Sequence, residues 1–417
     1  MLRFLTAGES HGPQLTVIID GVPAGLPLSS ELLDGDMRRR QWGHGRSERQ
    51  KMERDHAEIV GGVRGGVTLG SPVALTVANK VWEHWGDRMR VEEGDTGPKV
   101  TAVRPGHADL AGALKYGHDD VRNILERSSA RETAARVAAG AVARALLAQF
   151  DIIVHSHTLS MGAARGAGLP AELLTRGATR DRDAFDHFWR EVEASAVRCA
   201  GAEDEAAMVA AVDEAKREGI TLGGVSEIVA YGLPPGIGSH VQWDRKLDGL
   251  LAAALMSIQS VKGVEIGPAF ENAGLPGPEV HDVVSYGEGG WRRATNRAGG
   301  LEGGITNGEP VIARLAVKPI STMRRALPSA DLVTGEQVSA HYERSDTAVV
   351  PAAGVVGEAM MTYALAGALM EKCGGDSIAE MRRNFEAFTR EQRERVPAKE
   401  PATGRQRPDV AWQTNGD

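Results

Sequence analysis

Two histidines of this chain sit where an imidazole can work on a ligand. Gly8-Glu9-Ser10-His11-Gly12 and Arg104-Pro105-Gly106-His107-Ala108-Asp109 each present a histidine on a turn whose glycines let the backbone approach a bound molecule closely. An imidazole titrates near neutrality, so either could pass a proton to a leaving group or stabilise an anion. Cations gather in three further stretches. The basic run from Arg38 to Arg49 includes Arg40 and Arg46 and ends among glycines. Glu126-Arg127-Ser128-Ser129-Ala130-Arg131-Glu132 supplies two guanidiniums and two hydroxyls, and Ser129 and Glu132 have the spacing of a capping box. That predicts a helix start at Ser129, whose backbone N–H groups suit an anion. Arg344-Ser345-Asp346 echoes this element with a carboxylate in place of Ser129, which points to an acid–base duty for Asp346. Lys318-Pro319-Ile320-Ser321-Thr322 sets an ammonium beside hydroxyls, a phosphate-binding combination. Guanidiniums grip carboxylates and phosphates through two oxygens at once, so the expected ligand carries several negative charges.

Other chemistries lose support. The chain shows no G-x-x-x-x-G-K-[ST] loop, no strand-linked G-x-G-x-x-G and no zinc-ligand spacing. His155 and His157 alternate along an apolar stretch and read as structural. Cys199 and Cys373 are far apart and suggest no disulfide framework, which fits a reducing compartment. A net charge of -8 weighs against nucleic acid as a general partner and leaves anion capture to local clusters. No run approaches the roughly 18 apolar residues of a membrane span, and Met1 to Leu5 leave no room for a signal peptide. The expectation is a soluble cytoplasmic protein.

The elements that must position these residues recur. Thr16–Asp20 followed by Gly21-Val22-Pro23 is echoed by Glu227–Tyr231 followed by Gly232-Leu233-Pro234. Gly65-Gly66-Val67-Thr68 is echoed by Gly303-Gly304-Ile305-Thr306, and Glu126-Arg127-Ser128 by Glu343-Arg344-Ser345. Three echoes in the same order predict an internally duplicated α+β domain over 1–390. Its halves are about 1–160 and 221–390, with a charged, Ala-rich insertion at 161–220 and a polar, disordered tail at 391–417. Strands are predicted at 15–20, 67–78, 152–159, 225–231 and 311–317. Helices are predicted at 30–40, 130–150, 184–194, 203–218, 244–257, 352–372 and 377–394. Trp82 to Lys99 reads as a mobile surface loop.

Taken together, these stretches resemble the chorismate synthase family. The likeness rests on Gly8–Gly12 running to Asp20-Gly21-Val22-Pro23, on Arg127–Thr133, and on Arg344-Ser345-Asp346 running to Gly357-Glu358-Ala359. Arg104–Asp109 and Gln242–Asp248 also match, and the resemblance spans about residues 1–390. It implies a β-α-β sandwich of two pseudo-symmetric halves, with central helices between antiparallel sheets, assembled as a homotetramer. It implies reduced FMN as cofactor, kept reduced by an external flavin reductant, and 5-enolpyruvylshikimate-3-phosphate as substrate. By the same resemblance, His11 protonates the departing phosphate, His107 stabilises the reduced flavin, and Asp346 with Ser10 assists proton removal. Arg40, Arg46, Arg49, Arg104 and Arg131 form the substrate clamp, and the positions of Arg40 and Arg46 are also connected with NADP. Arg127, Ser128, Ser129, Gln259, Ser260, Gly303, Lys318, Pro319, Ile320, Ser321, Thr322 and Arg344 are expected to line the FMN pocket; no metal is expected. A flavin reductase would need a nicotinamide motif, and none is visible. A nucleic-acid or other anion-binding protein would not require the paired histidine turns.

Overall fold

The computed structural model describes residues 1–47, 54–175, 182–287 and 290–395. Arg49 and the expected tail from residue 396 onward lie outside the described residues. Among the described residues, two antiparallel sheets have more than two strands. The first contains β1 (Arg3–Ala7), β2 (Gln14–Asp20), β3 (Glu58–Gly61) and β4 (Val73–Ala78), in the order β1-β2-β4-β3. The second contains β5 (Ile153–Met161), the short β6 (Ala164–Arg165), β7 (Gly224–Tyr231), β8 (Val261–Ile266) and β9 (Val311–Val317). Its order is β8-β9-β7-β5-β6. Without β6, the strands of each sheet follow one scheme: first, second, fourth, third. Strands β2 and β7 carry the first repeated motif, and β4 and β9 follow the second.

Alternation explains the inner faces. Leu15, Val17 and Ile19 of β2 and Val73, Leu75 and Val77 of β4 are buried, as period-2 side chains on one sheet face must be. The helix α4 (Thr133–Ala148) packs on β2 and β4, and α8 (Val350–Cys373) packs on β5, β7 and β9. These two helices also pack on each other. Their small residues allow a close approach: a Cβ placed on Gly140 would fall 2.3 Å from the Ala359 Cβ. Helix α8 is long and apolar enough to cross a membrane, but 78% of its apolar window is buried inside the protein, as a core helix requires. Helix α1 (Ser30–Gln41) lies against both α4 and α8, and α7 (Leu247–Met256) lies against α8.

Several expected boundaries move. The stretch 67–78 is not one strand, because Pro72 offers no backbone N–H for a ladder and only Val73–Ala78 joins the sheet. The helix expected at 244–257 begins at Leu247, since Lys246 is extended after a tight turn at Trp243–Arg245. Two helices fall in stretches where none was predicted: α2 (Asp109–Tyr116) and α3 (Arg122–Ser128). Ser129 therefore stands between α3 and the turn leading into α4, rather than opening a helix from coil. Its hydroxyl accepts from the Arg131 N–H, and Glu132 reaches Thr6, Arg136 and Gln259, so the reciprocal capping box is not made.

Within 161–220, α5 (Arg182–Ala194) and α6 (Ala202–Glu218) form where helices were expected. Phe185, Phe188 and Trp189 build a second core with Val229, Tyr231 and Ile312. At the other end, α9 (Ile378–Glu394) forms where a helix was expected at 377–394, so the first four residues of the 391–417 segment are helix rather than tail.

Candidate active site

The His11 turn is tied down from three sides. Its imidazole Nδ1 lies 2.9 and 3.1 Å from the two carboxylate oxygens of Glu126, and its backbone N–H donates to the same group at 2.8 Å. Burial alone would raise the Glu126 carboxyl, but hydrogen bonds from His11 and Arg122 bring it below the usual range. With Nδ1 facing Glu126, the proton that His11 can exchange with a ligand is the one on Nε2. Ser10 donates its N–H to the Glu126 carbonyl at 3.1 Å and accepts from the Ser129 hydroxyl at 3.2 Å. Trp85 covers the imidazole face to face, with ring centres 3.9 Å apart.

Buried Asn79 joins this turn to the arginines. Its amide donates to the Glu9 and Gly12 carbonyls at 3.1 and 2.7 Å, and its oxygen accepts from Arg131 Nε at 2.9 Å. Arg131 and Arg40 then share one carboxylate, Asp55, at 2.6 and 2.7 Å. All three side chains are buried. Burial, together with the nearby charges of Arg131 and Arg46, lowers the Arg40 pKa in spite of Asp55. Burial works the other way on Asp55, and the two guanidiniums overcome it to hold its carboxyl low. Among the described residues, two buried guanidiniums here share one carboxylate.

His107 rests on the carboxylate of fully buried Asp109, at 2.5 Å. Arg104 grips the same carboxylate with Nε and Nη2 at 2.8 and 2.9 Å and reaches the Thr322 hydroxyl at 3.2 Å. Against the cost of burial, the bonds from His107 and Arg104 hold the Asp109 carboxyl far below the ordinary range. Gly106 takes a left-handed backbone at φ +77, and a Cβ there would lie 3.4 Å from the Ser321 hydroxyl. Lys318 Nζ and the Ser321 hydroxyl both donate to the Gly106 carbonyl, at 3.0 and 2.8 Å. Burial and the neighbouring Lys262 lower the Lys318 pKa.

The echoed Glu-Arg-Ser elements meet. Arg122 pairs with Glu126 at 3.1 Å and with its counterpart Glu343 at 2.7 Å. Despite burial, bonds from His341 and Arg122 pull the Glu343 carboxyl down to about 2. Ser345 donates to the Thr322 carbonyl at 2.9 Å, which links this element to the His107 side. Asp346 is held by Arg46 at 2.7 Å and by the Ser47 N–H at 2.6 Å.

The remaining expected residues divide. Arg127 bonds the Thr6 and Gly8 carbonyls of the His11 strand end, Ser128 donates to the Ile124 carbonyl, and Gln259 donates to Glu132. Ser260 takes a left-handed backbone at φ +68 and its carbonyl receives the Lys318 N–H. Pro319 and Arg344 are exposed, and the Ile320 carbonyl accepts from Thr221. Gly303 stands apart, on a hairpin against His240. Asp55, Asp109, Glu126, Asn79 and Trp85 were missed in the sequence. Asp109 was within reach, two residues from His107 in its own motif; Glu126 is 115 residues from its partner and gives no local signal.

The family model for chorismate synthase matches residues 2–370. The chain belongs to the chorismate synthase family. The chorismate synthase of Trichlorobacter lovleyi is 52% identical over 397 residues, covering 93% of this chain and 98% of the relative. That of Geobacter sulfurreducens is 52% identical over 398 residues with the same coverage. A crystal structure of chorismate synthase matches at 42% identity with a TM-score of 0.74, over 94% of this chain and 98% of that one. Family and relatives alike support chorismate synthase activity, and the clusters around His11, Arg40 and His107 are the geometry available for it.

Proposed function

We propose that this lyase performs the anti 1,4-elimination of phosphate from 5-enolpyruvylshikimate-3-phosphate to give chorismate, with reduced FMN required but not consumed. The observation that carries the proposal is the link from carboxylate-backed His11, through Asn79, to two buried guanidiniums sharing Asp55. A substrate with a phosphate and two carboxylates offers anions that guanidiniums grip through two oxygens at once. Arg40, Arg46, Arg104 and Arg131 orient it, and His11 delivers the Nε2 proton to the phosphate oxygen as the carbon–oxygen bond breaks. Asp346, aimed by Arg46 and the Ser47 N–H, and Ser10 take part in removing the ring proton. Reduced flavin, when bound, supplies the transient electron density that makes this bond breakable. The donors gathered around Gly106 (Lys318, Ser321 and the Arg104–His107 pair) suit an anionic cofactor. The matching strand schemes and the packing of α4 on α8 support a β-α-β sandwich of two pseudo-symmetric halves. We extend to this chain the family's homotetramer, external flavin reductant and cytoplasmic location.

The test is an anaerobic assay with chemically reduced FMN and the substrate, following chorismate absorbance. Many turnovers per flavin are expected. Flavin oxidised in step with product would rule the reading out, and sustained NADPH oxidation by FMN and protein without substrate would mark a flavin reductase instead.

A further inference from the structure

The stretch 161–220, read from the sequence as an insertion, reaches the candidate site through α6. Met208, Val212 and Ala215 recur at helical spacing along one face of that helix and are buried. Met208 and Val212 belong to the same core as α4 and α8, and α6 packs on β5 and β6. The insertion also meets the turn that follows α1. There the His44 N–H donates at 2.7 Å to the carbonyl of Ala196, in the connection between α5 and α6. His44 Nε2 lies 2.8 Å from Asp213, the residue after Val212. Gly45 adopts φ +84, and a Cβ on it would stand 2.8 Å from Val212 Cγ1 and 3.4 Å from the Ala348 nitrogen. Glycine has the conformation and the slimness that this passage between α6 and Ala348 requires.

The far side of the same turn holds a carboxylate. The Thr347 N–H donates to the Gly45 carbonyl at 2.8 Å. Arg46 Nη1 and the Ser47 N–H, from the next two residues, bond the two oxygens of Asp346 at 2.7 and 2.6 Å. One donor on each oxygen fixes the plane of the carboxylate as well as its place. The Thr347 carbonyl accepts from the Leu222 N–H at 2.9 Å, where the chain leaves α6 for β7. Asp346 and its two donors thus stand among contacts made from 196–222: Ala196, Val212 and Asp213 against His44 and Gly45, and Leu222 against Thr347. Arg46 and Ser47 follow Gly45 directly, so a turn that sinks toward α6 draws both donors off Asp346. We propose that α6 is a wedge behind Gly45, with Val212 a positioning residue that keeps Arg46 and Ser47 on Asp346 and so aims its carboxylate for proton removal. The inference rests on the reading of Asp346 as a group that assists removal of the ring proton.

The test is the anaerobic assay on the full chain, with substrate carrying deuterium at the ring carbon that loses its proton. In Val212→Ala, kcat should fall about tenfold, since a misplacement of about 1 Å can cost about 10²-fold. The deuterium isotope effect on kcat should rise, because proton removal becomes slower relative to the other steps. Gly45→Ala pushes the turn off α6 from the opposite side without touching the core, and should raise the isotope effect too. Met208→Ala separates positioning from lost packing. It empties the same face of α6 one turn earlier, where the side chain meets Gly166 instead of Gly45, and should leave the isotope effect at the value of the unaltered protein. An unchanged isotope effect in Val212→Ala or in Gly45→Ala overturns the inference, as does an equal rise in Met208→Ala. Normal turnover and isotope effect in Asp346→Asn would instead sink the proton-removal reading itself. Failure of the wedge alone looks different: Asp346→Asn is slow while Val212→Ala is not.

Discussion

Arg39 and Arg40 are neighbours on one helix turn and enter opposite electrostatic worlds. Arg39 reaches Glu358 at 2.7 and 2.8 Å, Glu193 at 2.6 Å and Asp36 at 2.9 Å. Arg144 and Arg198 join the same cluster, so three guanidiniums face three carboxylates. Burial would lower the Arg39 pKa, but Glu358 and Glu193 outweigh it and raise it. Arg40, one residue on, shares Asp55 with Arg131 and has its pKa lowered. A buried cluster that balances its own charges is complete without a ligand and serves the fold. Arg40 and Arg131, which among the described residues share one carboxylate, are the ones we propose to meet an arriving anion. Residue type cannot separate the two clusters; the partners that the fold brings to each can.

The comparison breaks most visibly at Glu358. Glu358→Ala leaves three guanidiniums around a vacated charge, and we expect a loss of about 3–5 kcal/mol in unfolding free energy, read by urea denaturation. A loss below about 1 kcal/mol, the usual ceiling for an exposed pair, would show that the cluster is not what holds α1, α4 and α8 together. The counterpart is Arg40→Met. Asp55 keeps Arg131, and one repulsion disappears, so stability should move little while kcat/KM falls about 10²-fold, the scale of a preorganised electrostatic contact. Equal destabilisation by both substitutions would erase the distinction.

The smallest effect concerns pH. Burial opposes the Glu193 charge, but bonds from Arg39 and Arg198 bring its carboxyl down to about 2 from the ordinary 4.5. Its folded pKa is depressed, so the stability it contributes is fully present above pH 4.5 and disappears as pH falls through about 2. Glu193→Gln should flatten the stability–pH curve within that window and leave it unchanged in shape above. The side chain is 36% exposed, so solvent screening makes this a shallow slope. A curve of unaltered steepness would remove Glu193 from the balanced cluster.

Much of this was legible before any coordinates. Apolar stretches located β2, β5, β7 and β9, and Ala-rich composition located α4, because such composition is local and can be read along the chain. Strand β1 escaped: its RFLTA sequence has no strong alternation, and its burial switches only between exposed and half-buried. Helix α3 escaped as well, since it is only seven residues long and has no side-chain cap at its start. In the site, the histidine turns and arginines announced themselves by type and by flanking glycine. Their partners did not. Asp55 is an ordinary acid in a charged stretch, and Trp85 looked like one aromatic in a loop. What gives each its role is a neighbour brought from elsewhere by the fold.

The cluster around Glu358 also sets a timetable. Arg39 is made 319 residues before the glutamate that neutralises it, with Arg144 and Arg198 emerging in between. At translation rates of about 5–20 residues per second, the wait lasts some tens of seconds. During that time the amino-terminal part of the nascent chain holds three guanidiniums destined for the interior and no Glu358 to receive them. The first sheet can pair its strands, but its core cannot close around these charges until α8 leaves the ribosome. The two sheets are written one after the other, yet the protein must finish them together.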